Sequence, residues 1–297
     1  MEDKPRAQFH AAMRYRTPEA LRRALEDRMI AASRRGEGEL PRMRRQVAFD
    51  RLLSRLCNAP LSPWLLKGGY AMELRIASAR TTRDIDLAMR LPLHTGDRWD
   101  SLLVRKHLQT QADTDLEDGF SYLIEEARME LDAAPYGGAR FPIEASMGGR
   151  SFSSFHLDVS AGDVLCEPYE ILEGRDWLGF AGIQPPKIPA VSREEQFAEK
   201  LHAFTLPREG RPNSRVRDLV DLLLLIESNT LERDRLTACI AATFERRKTH
   251  PVPRQLEAPP ATWSGTYAEL AARCAITQDV TLAFTRLSAF YSELSRL

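Results

Sequence analysis

The chain has 297 residues, enough for one large domain or two modest ones with a sizeable core. Its residues are 43% hydrophobic, 28% charged and 8% aromatic, which excludes disorder across the whole chain, and a formal net charge of zero excludes a global field drawing it to nucleic acid. Four scattered cysteines (Cys57, Cys166, Cys239, Cys274), a charged start and no apolar run long enough for a bilayer span point to a soluble, reduced, cytoplasmic protein with no membrane partner.

Residues 1–60 read as an N-terminal helical layer. Two amphipathic helices are expected over 17–58, opened by Thr17-Pro18 as cap and first-turn residue and separated by Gly36-Glu37-Gly38 before Pro41. Residues 1–55 carry fourteen Lys/Arg against eight Asp/Glu, a basic front that suits phosphate contact or a solvated helix face. The segment 61–186 changes to short apolar strands between helices and Gly/Pro turns, a mixed α/β pattern. Trp64, Leu65 and Leu66 form a strand into Lys67-Gly68-Gly69; Ala71, Met72, Leu74 and Ile76 mark a short helix; Asp84 to Met89 form the next strand. An acidic stretch follows between Asp113 and Asp132, and Ser154 to Val159 alternate with a strand's period of two. Gln184-Pro185-Pro186-Lys187-Ile188-Pro189 reads as a stiff extended link. Beyond it, 187–297 reads as a helical C-terminal domain, with helices over 192–206, 214–228 and 231–247, a Pro-rich loop at 251–260 and two more helices over 264–297.

The chemistry concentrates around Lys67-Gly68-Gly69 and Asp84-Ile85-Asp86. Carboxylates at i and i+2 on a strand share a face with Cα atoms roughly 6–7 Å apart, a spacing suited to oxygen ligands of a divalent cation. Alone, such a pair is common by chance and more often partners a surface arginine than a metal. Glycines at a helix start let backbone N–H groups approach a phosphate, although an ordinary strand-to-helix turn has the same composition. Asp158, between Leu157 and Val159, is a candidate third carboxylate for Mg²⁺, with Mn²⁺ the alternative. In the helical half, Phe197, Leu201 and Phe204 form a buried stripe beside Gln196 and Lys200, and Lys200 is apt for a triphosphate. Asp218 and Asp221 share a face of a helix otherwise too apolar for the surface, and Arg215 or Arg217 offers them salt-bridge partners.

Five blocks in this order, Lys67-Gly68-Gly69, Arg80-x-Thr82-x-Asp84-Ile85-Asp86, the Asp158 strand, Gln196-x-x-Glu199-Lys200-Leu201 and Arg217-Asp218-x-x-Asp221, resemble the AbiEii/AbiGii nucleotidyltransferase toxins across about residues 60–228. The resemblance implies a bilobed fold: a polymerase-beta-like mixed sheet with helices, closed by a helical C-terminal part. It implies transfer of NMP from an NTP to an RNA acceptor, the tRNA 3′ end, with a block on translation and a cognate antitoxin as partner. The metal would lie on Asp84, Asp86 and Asp158, the nucleotide on Lys67, Gly68, Gly69, Thr82 and Lys200, and the catalytic set would be Asp84, Asp86, Lys200, Asp218 and Asp221. One departure is Gly69, where many relatives of the fold carry a serine for the phosphate. A two-metal nuclease, transfer to a protein or small molecule, and a non-catalytic partner-binding module are the rival readings.

Overall fold

The computed structural model describes residues 15–58, 62–90, 99–131, 134–208, 210 and 212–294. Thr17 caps the first helix, its hydroxyl accepting from the Ala20 N–H, and α1 (Pro18–Arg34) buries Leu21, Leu25 and Met29 along one stripe. The second helix, α2 (Leu40–Leu56), is more enclosed than an amphipathic surface helix, and much of its charge is spent internally. Arg51 and Arg55 both bind the fully buried Asp118, which comes from the acidic stretch, and Arg42 pairs with Glu73. On α1, Arg22 donates to the carbonyls of Met147, Arg150 and Ser151. Part of the basic front is thus an internal clamp that holds the two helices to the sheet, because a buried carboxylate needs paired donors, while Arg23, Arg28, Arg34 and Arg35 stay exposed.

Among the described residues the sheet has eight strands: β1 (Trp64–Lys67), β2 (Asp84–Met89), β3 (Phe120–Ile124), β4 (Met129–Glu130), β5 (Gly138–Met147), β6 (Arg150–Ala161), β7 (Glu170–Glu173) and β8 (Lys187–Ala190). Their order is β3-β5-β6-β2-β1-β8-β7, with β4 added to β5. Pairs β2·β6 and β1·β8 are parallel, while β1·β2, β5·β6, β3·β5 and β7·β8 are antiparallel, so the sheet is mixed. The extended link expected at 184–189 is a correction: Lys187–Ala190 is a sheet strand, placed one residue past the expected boundary at 186. Pro185 and Pro186 precede the strand, and Pro189 lies within it where β8 pairs along its length with β7 but meets β1 only around Leu66 and Ala190.

Helices α1, α2 and α4 (Ser101–Ala112) pack on one face of the sheet around Phe49, Leu52, Phe141, Ile143, Phe155 and Leu157. Each such side chain contributes about 1.5–3 kcal/mol by leaving water. A separate core joins α5 (Arg193–Thr205), α6 (Val216–Glu227), α7 (Arg233–Arg247), α8 (Ser264–Arg273) and α9 (Val280–Leu294). Met72 in the short helix α3 (Gly68–Arg75) and Ala79 just after it belong to this second core and join the two lobes.

Candidate active site

Register creates the site. Lys67 on β1 faces Asp86 on β2, Asp86 faces Asp158 on β6, and Asp158 faces Arg140 on β5. Cross-strand neighbours share a face with their Cβ atoms about 5 Å apart, so the four side chains form one row, positive at both ends and acidic in the middle. Two residues along, Asp84 faces His156 in a second row on the same face. A cleft of about 310 Å³ lies over Lys67, Asp86 and Asp158 of the first row, with Arg140, Asp84 and His156 outside its lining, and is also lined by Gly68, Lys200, Asp218 and Arg215 among others.

Burial and the Asp158 carboxylate push the Asp86 carboxyl up to about 6, against the pull of Lys67 and Lys200. Among the described residues its oxygens receive one long hydrogen bond, from the Gly69 N–H at 3.4 Å. An acid so poorly answered by the protein, next to a second acid, fits an oxygen-binding divalent cation. Asp158 is answered differently: Arg140 grips it with Nε and Nη2 at 2.8 and 2.7 Å and reaches Asp84 at 3.8 Å. The Nδ1 of His156 lies 3.4 Å from Asp84. Among the described residues no group of three or more His, Cys, Asp or Glu converges as a ready cation cage. Arg140 is the cation that draws Asp158 and Asp84 in this state.

The glycine turn is held from three sides. Gly68 has φ +65°, and a Cβ there would collide with the Asp86 carboxylate. Gln196 Nε2 on α5 donates to the Gly68 carbonyl at 2.6 Å. A Cβ on Gly69 would press on Thr82, whose hydroxyl donates to the Asp84 carbonyl and whose N–H donates to Glu73. Thr82 therefore braces the turn from behind and does not line the cleft. The serine missing at position 69 has a steric reason, since Thr82 fills that space. Gly68→Ala is expected to cost about 1–3 kcal/mol of stability through the left-handed backbone alone, and to cut activity further by displacing Asp86, as thermal melts and a turnover assay will measure.

Lys67 lines the cleft, but its ammonium is committed to Asp163 at 2.6 Å and Glu199 at 3.0 Å. Arg247 of α7 binds the same two acids, so this group ties β1 to the helical lobe. Lys200 holds Asp221 at 2.6 Å and Asp218 at 3.5 Å. Burial lowers the Lys200 ammonium's affinity for its proton, and Asp221 and Asp218 more than restore it. The two acids of α6, equivalent by spacing, have separate positions. Asp218 lines the cleft near Arg215, whereas Asp221 is fully buried and forked by Arg80 at 2.9 and 2.7 Å. Arg140, His156, Asp163 and Arg247 were not singled out in the sequence, because none carries a local pattern and each acquires its neighbours from strand register or lobe packing.

One further acid lies under this site. Glu195 is fully buried, accepts from the Cys166 N–H at 2.7 Å and leaves its Oε1 without a hydrogen-bond partner among the described residues. Burial and the charge on Glu199 push its carboxyl up to about 9. The folded chain keeps a proton there that the unfolded chain loses near pH 4.5, so the group's contribution is full below that pH and is lost as pH rises towards 9. Glu195→Gln keeps the acceptor and has no proton to lose. Melting curves should place it above the wild type at pH 9 and level with it at pH 5.

Comparison with known proteins follows the same lines. The family model described as nucleotidyl transferase AbiEii toxin, type IV TA system, matches residues 51–283, reaching well beyond position 228 into the C-terminal helices. MenT4, a nucleotidyltransferase toxin from Mycobacterium tuberculosis H37Rv, superposes with a TM-score of 0.57 at 18% identity, covering 90% of this chain and 92% of that one. JHP933 from Helicobacter pylori aligns at a TM-score of 0.43 and 14% identity, over 86% of this chain and 97% of that one. No curated protein matches. With a family model spanning most of its length, the chain belongs to the AbiEii nucleotidyl transferase toxin family of type IV toxin–antitoxin systems.

Proposed function

We propose that this toxin transfers NMP from an NTP to the terminal hydroxyl of an RNA, the 3′ end of tRNA, and so blocks translation in the cytoplasm until its antitoxin intervenes. The observation that carries the reading is the row Asp86–Asp158 with Asp84 beside it, facing a glycine turn whose N–H bonds to Asp86. Asp84, Asp86 and Asp158 are the residues that would hold Mg²⁺ or Mn²⁺, and all offer hard oxygen donors. When bound, the cation supplies charge neutralisation on the triphosphate.

The protein's own part is positioning. Gly68 and Gly69 let the backbone come close to the phosphates, with the α3 N-terminus behind them. Lys200, held by Asp221 and Asp218, presents one fixed positive charge to the cleft. The acceptor hydroxyl attacks the α-phosphorus, the bond to the β-phosphate oxygen breaks, and pyrophosphate leaves. Among the described residues no helix is long and apolar enough to cross a membrane.

The test is to incubate the protein with each of the four α-labelled NTPs, Mg²⁺ and total tRNA. Label joined to intact tRNA supports the reading. Shortened RNA without label supports the nuclease instead, and label on no species in any of the four reactions sinks the transfer to tRNA.

A further inference from the structure

We propose that the acceptor strand reaches the carboxylates across the β5 side of the sheet, and that Arg140 and His156 are the residues that position it. This rests on the nucleotidyl-transfer reading above. The strand order β5-β6-β2-β1 sets Arg140, Asp158, Asp86 and Lys67 in a line. The glycine turn leaves β1 at one end of that line, where Gln196 of α5 holds the Gly68 carbonyl, and Lys200, one turn further along α5, lines the same cleft. In-line displacement requires the attacking and leaving oxygens to lie on opposite sides of the phosphorus. With the leaving phosphates on the β1 side, the hydroxyl must enter from the β5 side.

Two partly exposed cationic or protonatable side chains stand there. The Arg140 side chain is 32% exposed and that of His156 41%, and both reach Asp84. Neither serves the core, which lies on the opposite face of the same strands, where Phe141, Ile143, Phe155 and Leu157 meet α1, α2 and α4. While Nε and Nη2 of Arg140 hold Asp158, its Nη1 has no hydrogen-bond partner among the described residues and is available to a phosphate. The face continues outward through exposed groups: Met129 opposite Arg140, then Ser154, Glu144 and Leu123 in successive register on β6, β5 and β3. A guanidinium and an imidazole, bordered by exposed apolar and hydroxyl side chains with the Glu144 carboxylate among them, suit a single polynucleotide strand whose phosphates meet the cations and whose base faces meet the apolar groups.

The test uses Arg140→Gln and His156→Ala in the full chain, with labelled NTP and tRNA. Each should raise the KM for tRNA about tenfold, His156→Ala should leave the KM for NTP within about twofold, and Arg140→Gln should reduce the salt slope of tRNA binding by about one. A thermal shift on adding NTP checks that each variant is folded; if Arg140→Gln does not fold, His156→Ala alone decides. An unchanged KM for tRNA in the folded variants overturns the inference and leaves the transfer reading intact, as does a raised KM for NTP alone. Wild-type label on a protein instead of RNA overturns the nucleic-acid assignment. A wild type that labels nothing overturns the transfer reading itself.

Discussion

Asp86→Asn is expected to lower transfer at least about a thousandfold, because a metal-held charge at the phosphorus is worth several kcal/mol and each 1.4 kcal/mol is a factor of ten. Its effect on stability should run the other way. Asp86 is an acid whose charged form the fold disfavours, through burial and through Asp158 beside it. Asn removes that repulsion and keeps an oxygen for the Gly69 N–H, so the melting temperature at pH 8 should be level with the wild type or above it. Turnover with labelled NTP and a thermal melt on the same preparations measure both. Retention of transfer by a folded Asp86→Asn protein would remove this carboxylate from the mechanism. A large loss of stability would mean that the row is structural.

Asp221→Asn should do the reverse, destabilising the protein first and the activity as a consequence. Burial raises the Asp221 carboxyl, and Lys200 and Arg80 more than reverse this, holding it below the usual carboxylate range. Loss of that charge leaves Lys200 and Arg80 facing each other in a low-dielectric interior, and removing one partner of a buried pair costs about 3–5 kcal/mol. Because the folded value is depressed, the stabilisation is present above the unfolded carboxyl value of 3.8 and is lost as pH falls through the folded one. The gap between wild type and variant in denaturant melts should therefore be full at pH 7 and close in strong acid. Asp218→Asn should cost less, since Asp218 is longer-bonded to Lys200 and borders the cleft. Equal losses for the two variants would contradict the division of roles.

The same contrast shows how far local pattern carries in this chain. The spacing of Asp218 and Asp221 identified one helix face, and α6 indeed runs from Val216 to Glu227. It could not say that Arg80, 141 residues away, closes on one of the two acids. The helices expected over 192–206, 214–228 and 231–247 agree with α5, α6 and α7 to within two residues, because their apolar periodicity is strong and their caps are local. The Pro-rich segment at 184–189 misled for a related reason. Proline reports its own extended backbone angle and missing donor, and a linker shares both with a strand such as β8, which is paired along only one of its two sides.

What the sequence by itself determined is whatever depends on near neighbours: the helix periods, the glycine turn that only residue 68 without a side chain allows, and two aspartates on one face of β2. The tertiary structure alone decided which distant residues stand beside them. Parallel pairing of β2 with β6 brings Asp158 to Asp86, antiparallel pairing of β6 with β5 supplies Arg140, and lobe packing commits Lys67 to Asp163 and Glu199. The reason is physical. Local conformation follows from each residue's sterics and its turn-to-turn contacts, whereas strand register is chosen by burial of the opposite face, where Phe141, Phe155 and Leu157 must meet the helices, and the polar row is carried into alignment with it.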